Sequence, residues 1–134
     1  MTIFNRHIGL ALWAGLTLIT FAAPATADVK DYEFRLVQQE VKEGDGAIVA
    51  VMLIDKRTGK PVPGAVIFAK RIDMAPDGMA SMAAPLVEMP SDKPGEYRFK
   101  TNLSMQGRWQ LSLGAKVQGE AGSVQSKLVI KAVP

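Results

Sequence analysis

Short runs of β-favouring residues, separated by turn residues, make up the chain from Asp31 onward. None of these runs shows the sustained 3.6-residue periodicity of an amphipathic helix. Several alternate apolar and polar residues with a period of two, which is typical of a strand with one buried and one solvated face. The clearest alternation covers residues 109–117, whose apolar positions are Trp109, Leu111, Leu113, Ala115 and Val117. The pattern predicts an all-β domain with Trp109 in its core.

Six or seven strands are predicted. The first is expected at residues 32–37, with Tyr32, Phe34 and Leu36 on one face, and a charged, glycine-rich turn is expected at 40–46. Residues 47–55 are almost continuously apolar, which predicts a central strand covered on both faces, with Met52 in the core. A polar loop at 56–64 and a strand at 65–72 are expected next, and then a turn at 92–95 before a strand around Tyr97 and Phe99. A connection is expected at 102–107. After the strand that contains Trp109, a hairpin turn at 119–122 is expected to lead into a last strand with Val124, Leu128 and Ile130.

These strands favour an immunoglobulin-like, two-sheet sandwich, because each sheet must bury its apolar face against the other. A small open barrel is the alternative. Tyr97 is in phase with Phe99, so its ring is expected inside and its hydroxyl is expected to anchor a strand corner.

The first 27 residues differ in kind from the rest of the chain. Arg6 and His7 precede an apolar run at 8–23, and Ala25-Thr26-Ala27 supplies the small residues that a signal peptidase accepts. We therefore predict a signal peptide at 1–27 that is cleaved after Ala27, and one periplasmic domain at 28–134. An uncleaved membrane anchor is the alternative, although the run falls short of the roughly 18 to 20 apolar residues that cross a bilayer.

Charge and composition exclude several function classes. The 16 basic residues fall to 15 when Arg6 is removed with the signal peptide, against 13 acidic residues, and the two signs are interspersed. This small net charge gives no electrostatic basis for nucleic-acid binding, and contact with a membrane is expected only through the signal segment if it is retained. There is no cysteine, and the single histidine is His7. A domain without these side chains lacks the usual nucleophiles and general bases, so we expect no enzyme; a carboxylate-based hydrolase is the residual alternative.

Methionine is the feature that suggests chemistry. The candidate metal ligands are Met74, Met79, Met82, Met89 and Met105, of which the first four fall within 16 residues. Thioether sulfur is soft and uncharged, so it suits Cu(I) or Ag(I) rather than Zn(II) or Cu(II). Met79 and Met82 are three residues apart, a spacing at which a helical turn or a tight loop would aim both sulfurs at one point. Met74 or Met105 would supply a third ligand.

Other roles for these residues remain open. Methionine often fills gaps in a core, which suits Met89 and Met105 in particular, and an exposed methionine patch can also serve as a partner-binding surface. The neighbouring carboxylates Asp73, Asp77 and Glu88 are attributed to ordinary turn chemistry, because no calcium-loop spacing is present.

Four segments resemble the FixH/YtkA-like family of exported or membrane-anchored β-sandwich domains, and the resemblance extends over residues 30–132. The segments are 55–66 (DKRTGKPVPGAV), 73–82 (DMAPDGMASM), 94–99 (PGEYRF) and 104–113 (SMQGRWQLSL). The resemblance implies a role in copper handling, since FixH is associated with assembly of a copper-containing oxidase and YtkA-like domains with heavy-metal efflux. The chain departs from FixH in having a cleavable apolar segment, and it lacks the histidines that often accompany methionine in related metal loops.

The expected function is therefore that of a periplasmic accessory protein of copper or heavy-metal homeostasis. It would bind Cu(I) or Ag(I) through the methionine-rich segment and act with an efflux or oxidase-assembly system in the membrane. The alternative is a metal-free interaction module that docks on a membrane-protein partner such as an efflux adaptor.

Overall fold

The computed structural model describes Gly15 and residues 29–134. Apart from Gly15, the predicted signal peptide lies outside the described residues, as does its predicted cleavage site after Ala27. Within residues 29–134 the chain forms ten strands. They are β1 Tyr32–Leu36, β2 Glu40–Lys42, β3 Gly44–Asp55, β4 Lys60–Pro61, β5 Val66–Met74, β6 Met79–Ala84, β7 Leu86–Met89, β8 Glu96–Leu103, β9 Gly107–Lys116 and β10 Val124–Val133. Two short 3-10 helices, Val29–Asp31 and Ala75–Asp77, complete the described structure. Within the described residues, neither of these helices has the length or the apolar composition of a membrane-spanning helix.

The strands form two five-stranded sheets that pack as a sandwich. Sheet 1 has the order β1-β3-β8-β7, with the two-residue β4 paired to β3, and sheet 2 has the order β2-β10-β9-β5-β6. The only parallel pair among the described strands is β2 with β10. The prediction of an all-β, two-sheet sandwich is confirmed.

The core lies between the sheets and comes from alternate positions of the strands. In β8, Tyr97, Phe99, Thr101 and Leu103 are buried while the residues between them face outward. Trp109, Leu111, Leu113 and Ala115 of β9 alternate in the same way, so Trp109 lies in the core as predicted. Burial of these large apolar side chains supplies the main favourable contribution to folding, at about 25 cal/mol per Å² of apolar surface removed from water.

The predicted burial of β3 on both faces is wrong. The strand is central in sheet 1, between β1 and β8, as expected. However, Val49, Val51 and Leu53 are buried, whereas on the other face Ile48, Ala50 and Met52 are only half-buried and Ile54, near the end of the strand, is buried. Met52 is therefore an outer-face residue of sheet 1 and not a core residue, because only one side of the sheet packs against the other sheet.

The predicted turn at 40–46 is also wrong. Residues 40–42 form β2, which runs parallel to the end of β10, and β3 already begins at Gly44. The backbone N–H of Glu43 donates to the Val133 oxygen at 2.7 Å, and that of Lys131 donates to the Gln39 oxygen at 2.8 Å. These long-range bonds satisfy backbone groups that a local turn would leave to solvent.

Two other predicted features are confirmed. Glu96 donates its backbone N–H to the Lys93 oxygen, and Gly95 has a φ of 79°, so Pro94 and Gly95 occupy the two central positions of a type II turn. The Tyr97 hydroxyl donates to the Val62 oxygen and accepts from the Ala65 backbone N–H, both at 2.9 Å, and so anchors the connection between the sheets. Burial raises the pKa of Tyr97 above its ordinary value.

Candidate methionine site

Met74 and Met79 face each other across the hairpin between β5 and β6. Met74 is the last residue of β5 and is fully buried in the core, and Met79 is half-buried and packs against that core. Their Cα atoms are partners in the antiparallel register. The connection is one 3-10 turn, whose fixed φ at Pro76 and left-handed Gly78 (φ 74°) suit a tight reversal. The hairpin therefore makes two methionine positions neighbours across its strands.

The connection between β8 and β9 brings Met105 to the same end of the sandwich. A β-carbon on Gly107 would lie 2.7 Å from the terminal methyl carbon of Met74. The end of β5 and the start of β9 are therefore in contact at this point. Met105 is two residues earlier and is 38% exposed. Its carbonyl oxygen accepts a hydrogen bond of 3.1 Å from the indole N–H of Trp109. Met74, Met79 and Met105, which we call the methionine end, thus belong to two connections that meet at Gly107.

Met82 and Met89 lie apart from this group. Met82 belongs to the edge strand β6 and is 38% exposed. The register of β5 with β6 shifts between Asp73 and Met74, so the β6 residues between Met79 and Ala83 have no partners in β5. The expectation of a helical turn or tight loop joining Met79 to Met82 is wrong. Met89 lies in β7 of sheet 1, opposite Arg98, and the alternation of β8 puts that position on the outer face.

An ion pair holds the two connections of the methionine end together. Asp77 accepts from the backbone N–H of Arg108 at 2.7 Å and from its Nε at 2.8 Å. Arg108 also donates from Nη2 to the Pro76 oxygen at 2.7 Å. The backbone N–H and then the guanidinium of Arg108 hold the pKa of Asp77 below its ordinary value. Asp77 is therefore ionised at neutral pH and fastens the 3-10 turn to the start of β9.

Asp73 is a second engaged carboxylate beside this end. It is buried, accepts from the Ala75 backbone N–H at 2.9 Å, and pairs with Arg71 Nε at 2.7 Å. The Ala75 N–H first, and then the Arg71 guanidinium, lower the pKa of Asp73. Among the described residues there is no group of three carboxylate, histidine or cysteine side chains that could hold a metal ion. The donors left at the methionine end are soft thioethers.

The sequence gives no local signal for the Asp77–Arg108 pair. The two residues are 31 positions apart, and Pro76-Asp77-Gly78 by itself indicates only a turn. The pair becomes visible only once the sheet order places the end of β5 beside the start of β9. The positions of Arg108 and Gly107 in the candidate site were missed for the same reason.

Comparisons with known proteins give a matching family model and similarity to solved structures. The family model described as YtkA-like matches residues 26–114. None of the curated proteins matches the chain. Among solved structures, a ZirS C-terminal domain is similar at a TM-score of 0.47 with 12% sequence identity, and the alignment covers 100% of this chain and 86% of that chain.

Proposed function

Because the chain belongs to the YtkA-like family, we propose that it is an exported, non-catalytic accessory protein of copper or heavy-metal homeostasis. In this proposal it carries Cu(I) or Ag(I) as cargo and passes the ion to an efflux or oxidase-assembly system in the membrane. The observation that supports the proposal is the pairing of Met74 with Met79 across the β5–β6 hairpin, next to Gly107, which lies two residues after Met105.

The chemistry of these donors supports soft monovalent ions. Three neutral thioethers bring no negative charge, so a divalent ion would lose hydration without the carboxylate or imidazole ligands that compensate for it. The nearby carboxylates Asp73 and Asp77 already bind Arg71 and Arg108. A hard cation would therefore have to break an ion pair, whereas Cu(I) or Ag(I) would not.

Burial supports an ordered route for the ion. Met105 is partly exposed, Met79 is half-buried, and Met74 is fully buried. The ion would meet Met105 first and reach the Met74 sulfur only when the segment at Gly107, which lies against the Met74 methyl carbon, moves. Slow exchange with solvent follows from such a closed site, which suits a carrier that must hold its ion until it meets a partner.

The test is an anaerobic Cu(I) titration of the protein expressed from the full sequence, against a competing Cu(I) chelator. We expect saturable, stoichiometric binding that falls at least tenfold in affinity in Met79→Leu/Met105→Leu, since leucine keeps the volume but removes the sulfur. Met52→Leu on the outer face of sheet 1 is the matched control and should bind as the native protein does. Absence of binding, or equal loss in Met52→Leu, would contradict the proposal.

The alternative, a metal-free interaction module, is favoured by a different observation. Met82 and Met105 are both 38% exposed, and Met82 lies on the edge strand β6, where a partner has access to it. Exposed methionine repacks readily against varied surfaces. In this case a photo-crosslinker at position 82 would capture a membrane protein in intact cells regardless of copper supply, while one at the exposed Lys60 would not. Cu(I) titration would then show no binding.

A further inference from the structure

The outer face of sheet 2 carries large apolar side chains that point into solvent. Val66 is 61% exposed, Phe68 is 56% exposed and Val129 is 47% exposed. A bulge in β5 between Ile67 and Ala69 puts Phe68 on this face, and a β-carbon on Gly114 would lie 3.0 Å from its ring. The bulge therefore leaves the Phe68 ring exposed on the outer face of sheet 2.

Positive charge is concentrated on the same face. Lys116, Lys127 and Lys131 occupy outward positions of β9 and β10, and Lys42 occupies the outward position of β2. With Arg71 and Arg108 the face has six cations, and its acids are Asp73, Asp77 and Glu40, so its net charge is +3. The chain after residue 27 has 13 acidic residues against 15 basic ones, the total of 16 without Arg6, so all other surfaces together carry a net charge near −1.

The lysines and the arginines of this face differ in the kind of anion that they suit. Both arginines of the face are tied to carboxylates, Arg71 to Asp73 and Arg108 to Asp77. Within residues 29–134 no salt bridge engages any of the four lysines. Lysine acts as a flexible point charge, whereas arginine recognises a carboxylate through two parallel hydrogen bonds. The available charges are therefore suited to a surface with many mobile anions.

An open depression of ≈ 470 Å³ lies among these residues. Arg71 and Lys127 flank it, and Ser112, Gly114 and Gln125 are among its lining residues. Small side chains on three neighbouring strands leave room there for a group the size of a phosphate-bearing headgroup. Lysines, a serine hydroxyl and an exposed aromatic ring then lie within one face.

We infer that the outer face of sheet 2 docks on an anionic phospholipid bilayer, with the lysines at the headgroups and Phe68, Val66 and Val129 in the interface. Apolar side chains rimmed by lysine are the combination that holds amphipathic elements at an anionic membrane surface. The expectation that the membrane is contacted only through the signal segment considers segments that could span a bilayer. This proposal differs from it because the fold gathers lysines that are dispersed along the sequence.

The test is co-sedimentation of the protein with vesicles of phosphatidylcholine alone or with 30 mol% phosphatidylglycerol as the probe, at low and at high salt. We expect binding only to the anionic vesicles, with weakening at high salt. Lys116→Glu/Lys127→Glu/Lys131→Glu should lower the partition coefficient about a hundredfold or more, since each lysine near an anionic surface contributes about fivefold or more. Phe68→Ser should lower it severalfold at unchanged charge.

Lys60→Glu/Lys93→Glu/Lys100→Glu is the matched control, because it makes the same change in net charge at exposed positions away from sheet 2. We expect it to keep most of the binding. All variants carry the same N-terminus, so a contribution of residues 1–27 cancels in the comparison. No binding by the native protein, or equal loss in the two triple variants, overturns the inference. Binding of an acidic protein through this face without binding to vesicles overturns it as well.

Discussion

Asp73 is a buried carboxylate whose charge is held by two donors, the Ala75 N–H and the Arg71 guanidinium. Asp73→Asn removes the charge and leaves a poorer acceptor for both donors. We expect a loss of about 1–3 kcal/mol in the free energy of unfolding, the usual cost of leaving buried hydrogen-bonding groups without a partner. Asp92→Asn, in the exposed turn before β8, is the control and should change the free energy by less than about 0.5 kcal/mol.

The same carboxylate predicts a pH dependence. Its pKa is lowered in the folded state relative to the ordinary 3.8. Its contribution is therefore fully present above the ordinary pKa, and is lost as pH falls below it through the folded-state value. Urea titrations of the native protein and Asp73→Asn should differ by a constant amount between pH 7 and 5, and the gap should narrow below pH 4. A gap that widens on acidification would contradict the assignment.

Gly107 is the second residue with a consequence for stability. Its φ is 136°, and an added β-carbon would meet both Asp77 Oδ2 and the Met74 methyl carbon at 2.7 Å. Gly44 has a φ of 130° with nothing within 4 Å, so it shares the backbone restriction without the overlap. We expect Gly107→Ala to cost about 1–3 kcal/mol more than Gly44→Ala, measured by chemical denaturation. Equal losses would show that the contact with Met74 does not constrain the methionine end.

Single positions differ in how far the sequence determines them. Trp109 and Phe99 lie in long alternating runs, so their burial follows from phase alone. Met52 lies in a continuous apolar run that gives no phase, and the structure puts it on the outer face. Met74 is the most buried of the candidate ligands, although its neighbours in the sequence are a charged residue and a turn. Its methyl carbon lies against Gly107, which is remote along the chain.

Among the strands, the short ones explain why six or seven were predicted and ten are present. β2 and β4 span three and two residues, too few to show any period. β6 consists of Met, Ala and Ser and lacks an apolar-polar contrast, so its strand conformation is decided by pairing with β5 and not by its own composition. The methionine spacing was therefore assigned to the wrong local geometry. The family resemblance, carried by four longer segments, is confirmed.

The pairing of β2 with β10 provides a prediction of its own. Glu43→Pro removes the N–H that donates to the Val133 oxygen, whereas Glu43→Ala keeps it. We expect the proline variant to lose about 1 kcal/mol more than the alanine variant, and to show faster hydrogen exchange at Lys131 and its neighbours. Similar exchange in both variants would mean that the parallel pair does not hold the end of β10.

The order of the strands along the chain couples the two sheets of the domain. The chain passes from one sheet to the other after β1, β2, β4, β6 and β8. Neither sheet is therefore formed by a continuous segment, and each sheet's inner face is covered by the other. Loss of one sheet exposes the apolar face of the second, so a half-folded sandwich has no independent core.

Unfolding should consequently be a single transition. Trp109 fluorescence reports the centre of the core and far-UV circular dichroism reports both sheets, so the two urea curves should coincide, with one midpoint and one slope. Trp109→Phe identifies the fluorescence that comes from this residue, since the other tryptophan, Trp13, lies in the predicted signal peptide. A dichroism transition that persists after the Trp109 signal is lost would show that one sheet survives alone. In that case the crossings between sheets would not couple the two halves, and the methionine end, which draws on β5, β6 and the start of β9, could open without unfolding sheet 1.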